Sequence, residues 1–288
     1  MVWREIIDKA AGFLKSKGVP DARVAGELLA ARLLGVGRGF LAGESGKEVP
    51  EKCLEAMRRG MRRLVDGEPL QYVLGEWDFR TLTLKCDRRA LIPRPETEEL
   101  VTRALSHLRS RLASGVSRPF VVDVGTGTGA IILSLAREFS DEAMFLGTDV
   151  SEDAIALARE NAERCGLADR VKFAVADGLD DFDEPGVVDV IVSNPPYVET
   201  AVCETLDPRV KDWEPRLALD GGTSGLDFYD RYLGDALNLL KPGGAVFFEI
   251  GENQGEPVRK LMFDYGFDDI RIEKDFGGHD RYASAVLP

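Results

Sequence analysis

An apolar run ends in Ser193-Asn194-Pro195-Pro196-Tyr197. Two successive prolines remove two backbone donors and stiffen the turn. What such a corner presents is acceptors: the side-chain oxygen of Asn194 and the carbonyl of Pro195. Two acceptors suit the two N–H bonds of a planar NH2 group, in an amide or an aromatic amine. The lone pair of that nitrogen is delocalised into its π system, so it is a poor nucleophile. Held by both N–H bonds, it can turn its lone pair toward an electrophile as planarity is lost. Positioning, and acceptors aimed at developing positive charge, then supply most of the rate. The proton leaves once the nitrogen is cationic, so no strong base is needed; the only histidines are His107 and His279. Tyr197 could pack flat on the planar group. Asn194, Pro195 and Tyr197 are therefore the candidate catalytic residues, and Asn194, Pro195, Pro196 and Tyr197 the candidate acceptor-binding residues. A plain strand terminator is the competing reading, and the place of this corner after the fourth strand of an alternating fold argues against it.

A second constellation lies upstream. Phe120-Val121-Val122-Asp123-Val124 runs into Gly125-Thr126-Gly127-Thr128-Gly129, with a helix expected from about Ala130. Glycines at a strand-to-helix turn allow close backbone approach, and a helix N-terminus favours an anionic group. A dinucleotide fingerprint would read GxGxxG. Here the third glycine comes one place early and Ala130 holds its position, which favours S-adenosylmethionine, whose amino-acid end carries a carboxylate. Asp149 follows Gly129 by twenty residues and ends the second strand, where it can accept from both ribose hydroxyls. Asp177 ends the third strand, near where the adenine amino group would lie, and Gly178 after it is kept as a backbone contact. Ligands of open α/β sheets sit at the carboxyl ends of the strands. The cofactor-binding set is thus Gly125, Thr126, Gly127, Thr128, Gly129, Asp149, Asp177, Gly178 and Asn194.

These residues need a scaffold. Strands are expected at 119–124, 143–149, 171–176, 186–193, 244–250, 268–274 and 281–287. The first four alternate with helical or loop segments, which implies a parallel sheet; the last two follow closely, so one is antiparallel. Residues 1 to about 67 read as helical: Trp3, Ile6, Ile7, Ala10, Phe13 and Leu14 recur at helical spacing. Asp21 is expected to cap a second helix running to Leu34. Leu54, Met57, Met61 and Leu64 mark another helix, with Arg58, Arg59, Arg62 and Arg63 on a neighbouring face, as a solvated surface or a docking patch. Residues 71–92 read as a strand pair, Tyr72-Val73-Leu74 and then Thr81-Leu82-Thr83-Leu84. The expected domains are 1–70, a helical substrate-docking domain; 71–92, a β-hairpin linker; and 93–288, the catalytic domain.

Composition narrows the function. The charge is uneven: residues 1–90 carry 17 Lys/Arg against 13 Asp/Glu, whereas 91–288 carry 20 against 37. Binding to nucleic acid relies on basic residues releasing counterions, so a DNA amino-methyltransferase, which shares the Asn-Pro-Pro-Tyr chemistry, is disfavoured. Cys53, Cys86, Cys165 and Cys203 are dispersed, with no metal-binding spacing and no histidine to complete a site. No run approaches the ~20 apolar residues of a membrane helix. Arg4, Glu5, Asp8 and Lys9 are incompatible with a signal peptide, so the expected location is the cytoplasm. A non-catalytic binding module and a nicotinamide-dependent oxidoreductase are further alternatives; an intact corner and loop argue against the first, and the glycine spacing against the second.

Over nearly its whole length the chain resembles the HemK/PrmC glutamine methyltransferases, which modify peptide-chain release factors. The resemblance rests on Glu68-Pro69-Leu70-Gln71-Tyr72-Val73-Leu74-Gly75, on residues 92–98, on Glu214-Pro215-Arg216-Leu217-Ala218-Leu219, on Gly225-Leu226-Asp227-Phe228-Tyr229 and on Gly277-Gly278-His279-Asp280-Arg281. It implies a seven-stranded, Rossmann-like class I methyltransferase sheet with a smaller N-terminal helical bundle. It implies S-adenosylmethionine as cofactor and the glutamine of the Gly-Gly-Gln tip of class I release factors as acceptor. A monomer is expected, with no metal, no direct nucleic-acid partner and no membrane. Arg94-Pro95-Glu96-Thr97-Glu98 favours release factors over the ribosomal-protein subgroup. One departure is Gly178, where family members often carry an aromatic that covers the adenine; that side of the pocket is either closed by something else or looser.

Overall fold

Helical periodicity dominates the N-terminal segment. Trp3, Ile6, Ile7, Ala10 and Leu14 are the buried stripe of α1 (Trp3–Ser16). α2 (Ala22–Leu34) stops where Gly35 turns left-handed, at φ 66°. Asp21 does precede α2, but at φ 47° its side chain accepts no capping hydrogen bond, so it does not act as the expected cap. α3 (Leu41–Glu44) is short, and α4 (Glu51–Val65) buries Cys53, Leu54, Met57 and Leu64. These four residues share one core with the buried stripe of α1 and with Leu29 and Ala30.

The expected strand at Tyr72-Val73-Leu74 is instead α5 (Leu70–Leu74). Three residues are too few to separate the two periodicities, and packing decides: as a helix, α5 lays Leu70, Val73 and Leu74 on the N-terminal core. The hairpin is β1 (Glu76–Phe79) and β2 (Leu82–Lys85), turning at Arg80 with φ 51°.

The computed structural model describes residues 1–180, 182 and 184–288. The chain forms two compact units: Met1–Glu76 with Asp207–Trp213, and Trp77–Leu206 with Glu214–Pro288. The second unit holds α6 (Thr97–Ala113), β3 (Phe120–Val124), α7 (Ala130–Glu138), β4 (Met144–Asp149), α8 (Glu152–Arg164), β5 (Val171–Val175), β6 (Val188–Ser193) and α9 (Thr200–Cys203). α10 (Pro208–Lys211), capped by the Asp207 side chain, falls in the first unit. The second resumes with α11 (Asp227–Leu239), β7 (Leu240–Glu249), α12 (Gly255–Asp264), β8 (Asp268–Lys274) and β9 (Asp280–Val286).

The sheet has seven strands in the order β5-β4-β3-β6-β7-β9-β8. β3 through β7 pair in parallel, and β9 is antiparallel to both its neighbours. Alternation along the strands divides the core. Val121, Val190, Val192 and Phe247 face α6, α7 and the hairpin residues Phe79, Leu82 and Leu84. Val122, Ile191, Val246 and Phe248 face α11 and α12. Both faces being covered, β6 is buried at every position, as central parallel strands are. Its one charge, Asp189, accepts from Lys241 Nζ, Arg111 Nη2 and the Phe120 amide at 2.6, 3.1 and 2.9 Å. Order reverses between β3 and β6, and in such sheets a crevice forms there at the carboxyl ends of the strands.

Candidate functional site

A cavity of about 310 Å³ opens at those carboxyl ends. Its floor is the glycine turn between β3 and α7. Gly125, Gly127 and Gly129 all take positive φ, at 72°, 55° and 81°, which only glycine adopts without strain. The turn is tied down from below. The Thr126 amide donates to the Thr148 carbonyl at 2.8 Å, and Thr126 Oγ1 donates to Asp123 Oδ2 at 2.6 Å. Asn161 Nδ2 holds the Thr128 carbonyl at 2.9 Å. Asp123 is fully buried, and burial pushes its carboxyl up to about 7.

Asp149 ends β4. Its Oδ2 accepts from the Gly127 amide and its Oδ1 from the Ser151 amide, each at 2.9 Å. A carboxylate has about four acceptor positions, so two remain for a diol in the cavity. Burial raises the Asp149 pKa, opposed by those two amides. Asp177 also lines the cavity, but its Oδ1 takes Arg231 Nη1 at 2.8 Å, so part of its accepting capacity is already engaged.

Aromatic side chains that the sequence reading did not single out close one wall. Phe228 and Tyr232, one helical turn apart on α11, line the cavity with ring centroids 5.8 Å apart. Gly178 has φ 70°, and a Cβ there would stand 3.1 Å from Tyr232 Cε1. The missing aromatic after Asp177 is therefore matched by an aromatic from α11 that packs where a side chain at 178 would stand. The (i, i+4) pair Phe228/Tyr232 was the available signal; Phe228 lies within Gly225-Leu226-Asp227-Phe228-Tyr229 and Tyr232 just beyond it.

At the end of β6, Ser193 Oγ donates to the Val124 carbonyl at 2.6 Å, locking the corner to β3. Asn194 and Pro196 line the cavity. Asn194 Nδ2 donates to Thr97 Oγ1 at 3.2 Å, and Thr97 Oγ1 donates to Glu249 Oε2 at 2.6 Å. Thr97 comes from the 92–98 segment and Glu249 from the end of β7, and neither stood in the expected site. Burial pushes the Glu249 carboxyl up to about 7, opposed by the Thr97 hydroxyl.

The 92–98 segment is itself anchored. Buried Glu214 accepts from the Ile92 amide at 3.0 Å and from Arg94 Nη2 at 2.5 Å. Tyr282 Oη donates to the Glu96 carbonyl at 2.8 Å.

The structure brings Gly125, Thr126, Gly127, Thr128, Asp149, Asp177, Gly178, Asn194 and Pro196 around one cavity. Gly129, Pro195 and Tyr197 do not line it. Gly129 starts α7 as its left-handed N-cap, and Pro195 is buried. Tyr197 packs against the α11/α12 core, its phenol raised to about 12 chiefly by burial. A broader depression of about 820 Å³ lies in the first unit, but Arg23, Arg38, Asp8 and Glu27 on its wall are paired with one another. On α4, Arg59, Arg62 and Arg63 are all exposed, and Arg63 is held by Glu68 Oε2 at 2.6 Å and by the Tyr72 carbonyl at 3.0 Å. Among the described residues no three His, Cys, Asp or Glu side chains gather in a metal-binding group, and no helix is long and apolar enough to cross a membrane.

Residues 118–260 match a family described as "Methyltransferase domain", and residues 5–75 match "PrmC N-terminal domain". The chain is 35% identical to the release factor glutamine methyltransferase of Chlorobaculum tepidum, across 99% of this chain and 98% of that one. It is 38% identical to the protein of the same name from Geobacter sulfurreducens, across 97% and 95%. A solved methyltransferase from Pyrococcus furiosus shares the fold, with a TM-score of 0.51 at 20% identity over 72% of this chain and 89% of that one.

Proposed function

The chain belongs to the release factor glutamine methyltransferase family, and from that premise we propose that it methylates the side-chain N5 of the glutamine in the Gly-Gly-Gln motif of class I release factors, with S-adenosylmethionine as donor. The observation that carries this reading is the opening of Asn194, the glycine turn and Asp149 onto one cavity.

The residues present suit the donor. Asp149 retains acceptor positions for a ribose diol. The residue 125–129 turn opens α7, whose N-terminus favours a carboxylate, and Phe228 and Tyr232 give an aromatic wall suited to adenine. When bound, S-adenosylmethionine supplies an electrophilic methyl group on sulfonium sulfur. The chain's own residues do the rest. Asn194 Oδ1, on the cavity, accepts one N–H bond of the glutamine amide; the carbonyl of Pro195, whose residue is buried next to the cavity-lining Asn194 and Pro196, is assigned the other, and together they turn the lone pair out of conjugation. As charge grows on nitrogen, those acceptors stabilise it, and the excess proton then passes to solvent. Pro196 lines the cavity beside Asn194. Tyr197, fixed by Gln254 Nε2 on its carbonyl at 3.0 Å, keeps the corner rigid.

The reading predicts that a purified class I release factor, incubated with this enzyme and S-adenosylmethionine, gains one methyl group on the tip glutamine in tandem mass spectrometry. An unmodified release factor, alongside methylation of a ribosomal protein or of DNA, would assign the chain to another substrate. We further propose that the exposed Arg59 and Arg62 of α4 help to dock the release factor. Their reversal to glutamate should raise the KM for the protein substrate and leave that for S-adenosylmethionine unchanged; equal KM values would retire the patch.

A further inference from the structure

The geometry points to Thr97 and Glu249 as positioning residues that fix which end of the Asn194 side-chain amide faces the acceptor. The inference rests on the proposed methyl transfer at Asn194 and deepens it.

The Thr97 hydroxyl has one hydrogen to donate. Glu249 Oε2 lies 2.6 Å from Thr97 Oγ1, and a buried carboxylate is the stronger claimant because hydrogen bonds to ionised acceptors are about twice as strong as neutral ones. With that hydrogen spent on Glu249, Thr97 Oγ1 can only accept from its second neighbour. Asn194 must therefore turn Nδ2 toward Thr97, where it stands at 3.2 Å. Its Oδ1 then turns the other way and, among the described residues, accepts no hydrogen bond. Without this constraint an asparagine amide has two orientations of similar shape, and the flipped one presents donors to an NH2 group that also only donates. The relay fixes the orientation with the acceptor outward.

The relay is held from several sides. Glu249 ends β7, whose last six residues are all buried between β6 and β9, and its carbonyl accepts from Tyr229 Oη at 2.9 Å. The charged and titratable groups acting on its carboxyl are Arg281 of β9, Arg94 and Glu96 of the 92–98 segment, and the phenols of Tyr197, Tyr229 and Tyr282. The arginines favour the ionised form, and burial and Glu96 oppose it. A protonated Glu249 could itself donate to Thr97, whose hydrogen would then point at Asn194 Oδ1 and reverse the amide. Ionised Glu249 is thus the competent state. Activity should be lost as pH falls through the Glu249 pKa, raised to about 7.

The test compares the wild type with Thr97→Val, Thr97→Ser and Glu249→Gln, each checked for an unchanged folded far-ultraviolet spectrum. Thr97→Val should lower kcat about tenfold, less than the ~10²–10³ of deleting a transition-state group because the amide still visits the right orientation. The KM for S-adenosylmethionine should not change. The acid limb near pH 7 should disappear in Thr97→Val and Glu249→Gln and persist in Thr97→Ser. A readout independent of turnover is the Asn194 side-chain ¹⁵NH2 resonance of the free enzyme. It should titrate near pH 7 in the wild type and Thr97→Ser, and not in Thr97→Val. An acid limb and a resonance that titrate identically in all four proteins would overturn the inference. A wild type that leaves the release factor unmethylated while its Asn194 resonance titrates would instead overturn the proposed substrate and leave the relay standing.

Discussion

Replacing Asp149 by alanine tests the donor site quantitatively. Both carboxylate oxygens already accept one backbone amide at 2.9 Å, which aims their remaining lone pairs into the cavity that Asp149 lines. Two hydrogen bonds to a charged acceptor contribute about 1.5–3 kcal/mol each, so Asp149→Ala should weaken nucleoside binding by about 3–6 kcal/mol, or ~10²–10⁴-fold. Part of any such loss would come from the Gly127 and Ser151 amides losing their acceptor, so the comparison needs a second axis. Calorimetry should be run with S-adenosylhomocysteine and with its 2′-deoxy counterpart on both proteins. Deleting the hydroxyl should weaken the wild type about tenfold and the variant by no more than ~2-fold, since the coupling between contacting groups is what such a cycle isolates. At saturating donor the variant should keep kcat within a few-fold, because Asp149 binds without touching the reacting atoms. A variant that binds within ~5-fold of the wild type, or a hydroxyl deletion that weakens both proteins equally, would refute the ribose assignment.

Other consequences are direct. Asn194→Ala should keep the folded spectrum and lose ~10²–10³ in methyl transfer, as expected when one preorganised stabilising group is deleted; near-normal turnover in a radiolabel assay would remove Asn194 from the chemistry. Asp123, raised from 3.8 to about 7 by burial, favours the folded state in its protonated form. Its contribution is fully present below the unfolded pKa and is lost as pH rises through the folded one, a decline of about 4 kcal/mol. Urea titrations from pH 4 to 8 should show a shallower decline in Asp123→Asn, and an identical slope would contradict the assignment. Gly147→Ala would put a Cβ 2.8 Å from Thr126 Oγ1 and 2.9 Å from the Phe173 ring. Overpacking of this kind costs about 1–3 kcal/mol, read as a lower urea midpoint together with weaker donor binding; unchanged values for both would contradict that packing.

Local patterns carried much of this architecture. Strand alternation, the glycine turn and the Asn-Pro-Pro-Tyr corner are encoded within a few residues each, and the sheet was legible in its seven strands and its single antiparallel one. Where periodicity ran short, tertiary packing decided. Tyr72-Val73-Leu74 suits either helix or strand, and the N-terminal core draws it into α5. β7 begins at Leu240 rather than near 244, because the Gly243 amide pairs with the Leu287 carbonyl across a sequence that reads as a turn. The partners of Asn194 were beyond reach for another reason. Thr97 and Glu249 are 152 positions apart in sequence, and only the folded sheet sets them side by side. The aromatic wall likewise depends on α11 lying against Gly178.

On this mechanism the corner after β6 grips a planar NH2 group by both hydrogens. A crystal structure with S-adenosylhomocysteine and a Gly-Gly-Gln peptide tests it most directly. The glutamine nitrogen should lie within ~2.7–3.2 Å of both Asn194 Oδ1 and the Pro195 carbonyl, with its open face toward the donor sulfur. A glutamine amide bound elsewhere, or one that meets Asn194 Nδ2 instead of Oδ1, would contradict it.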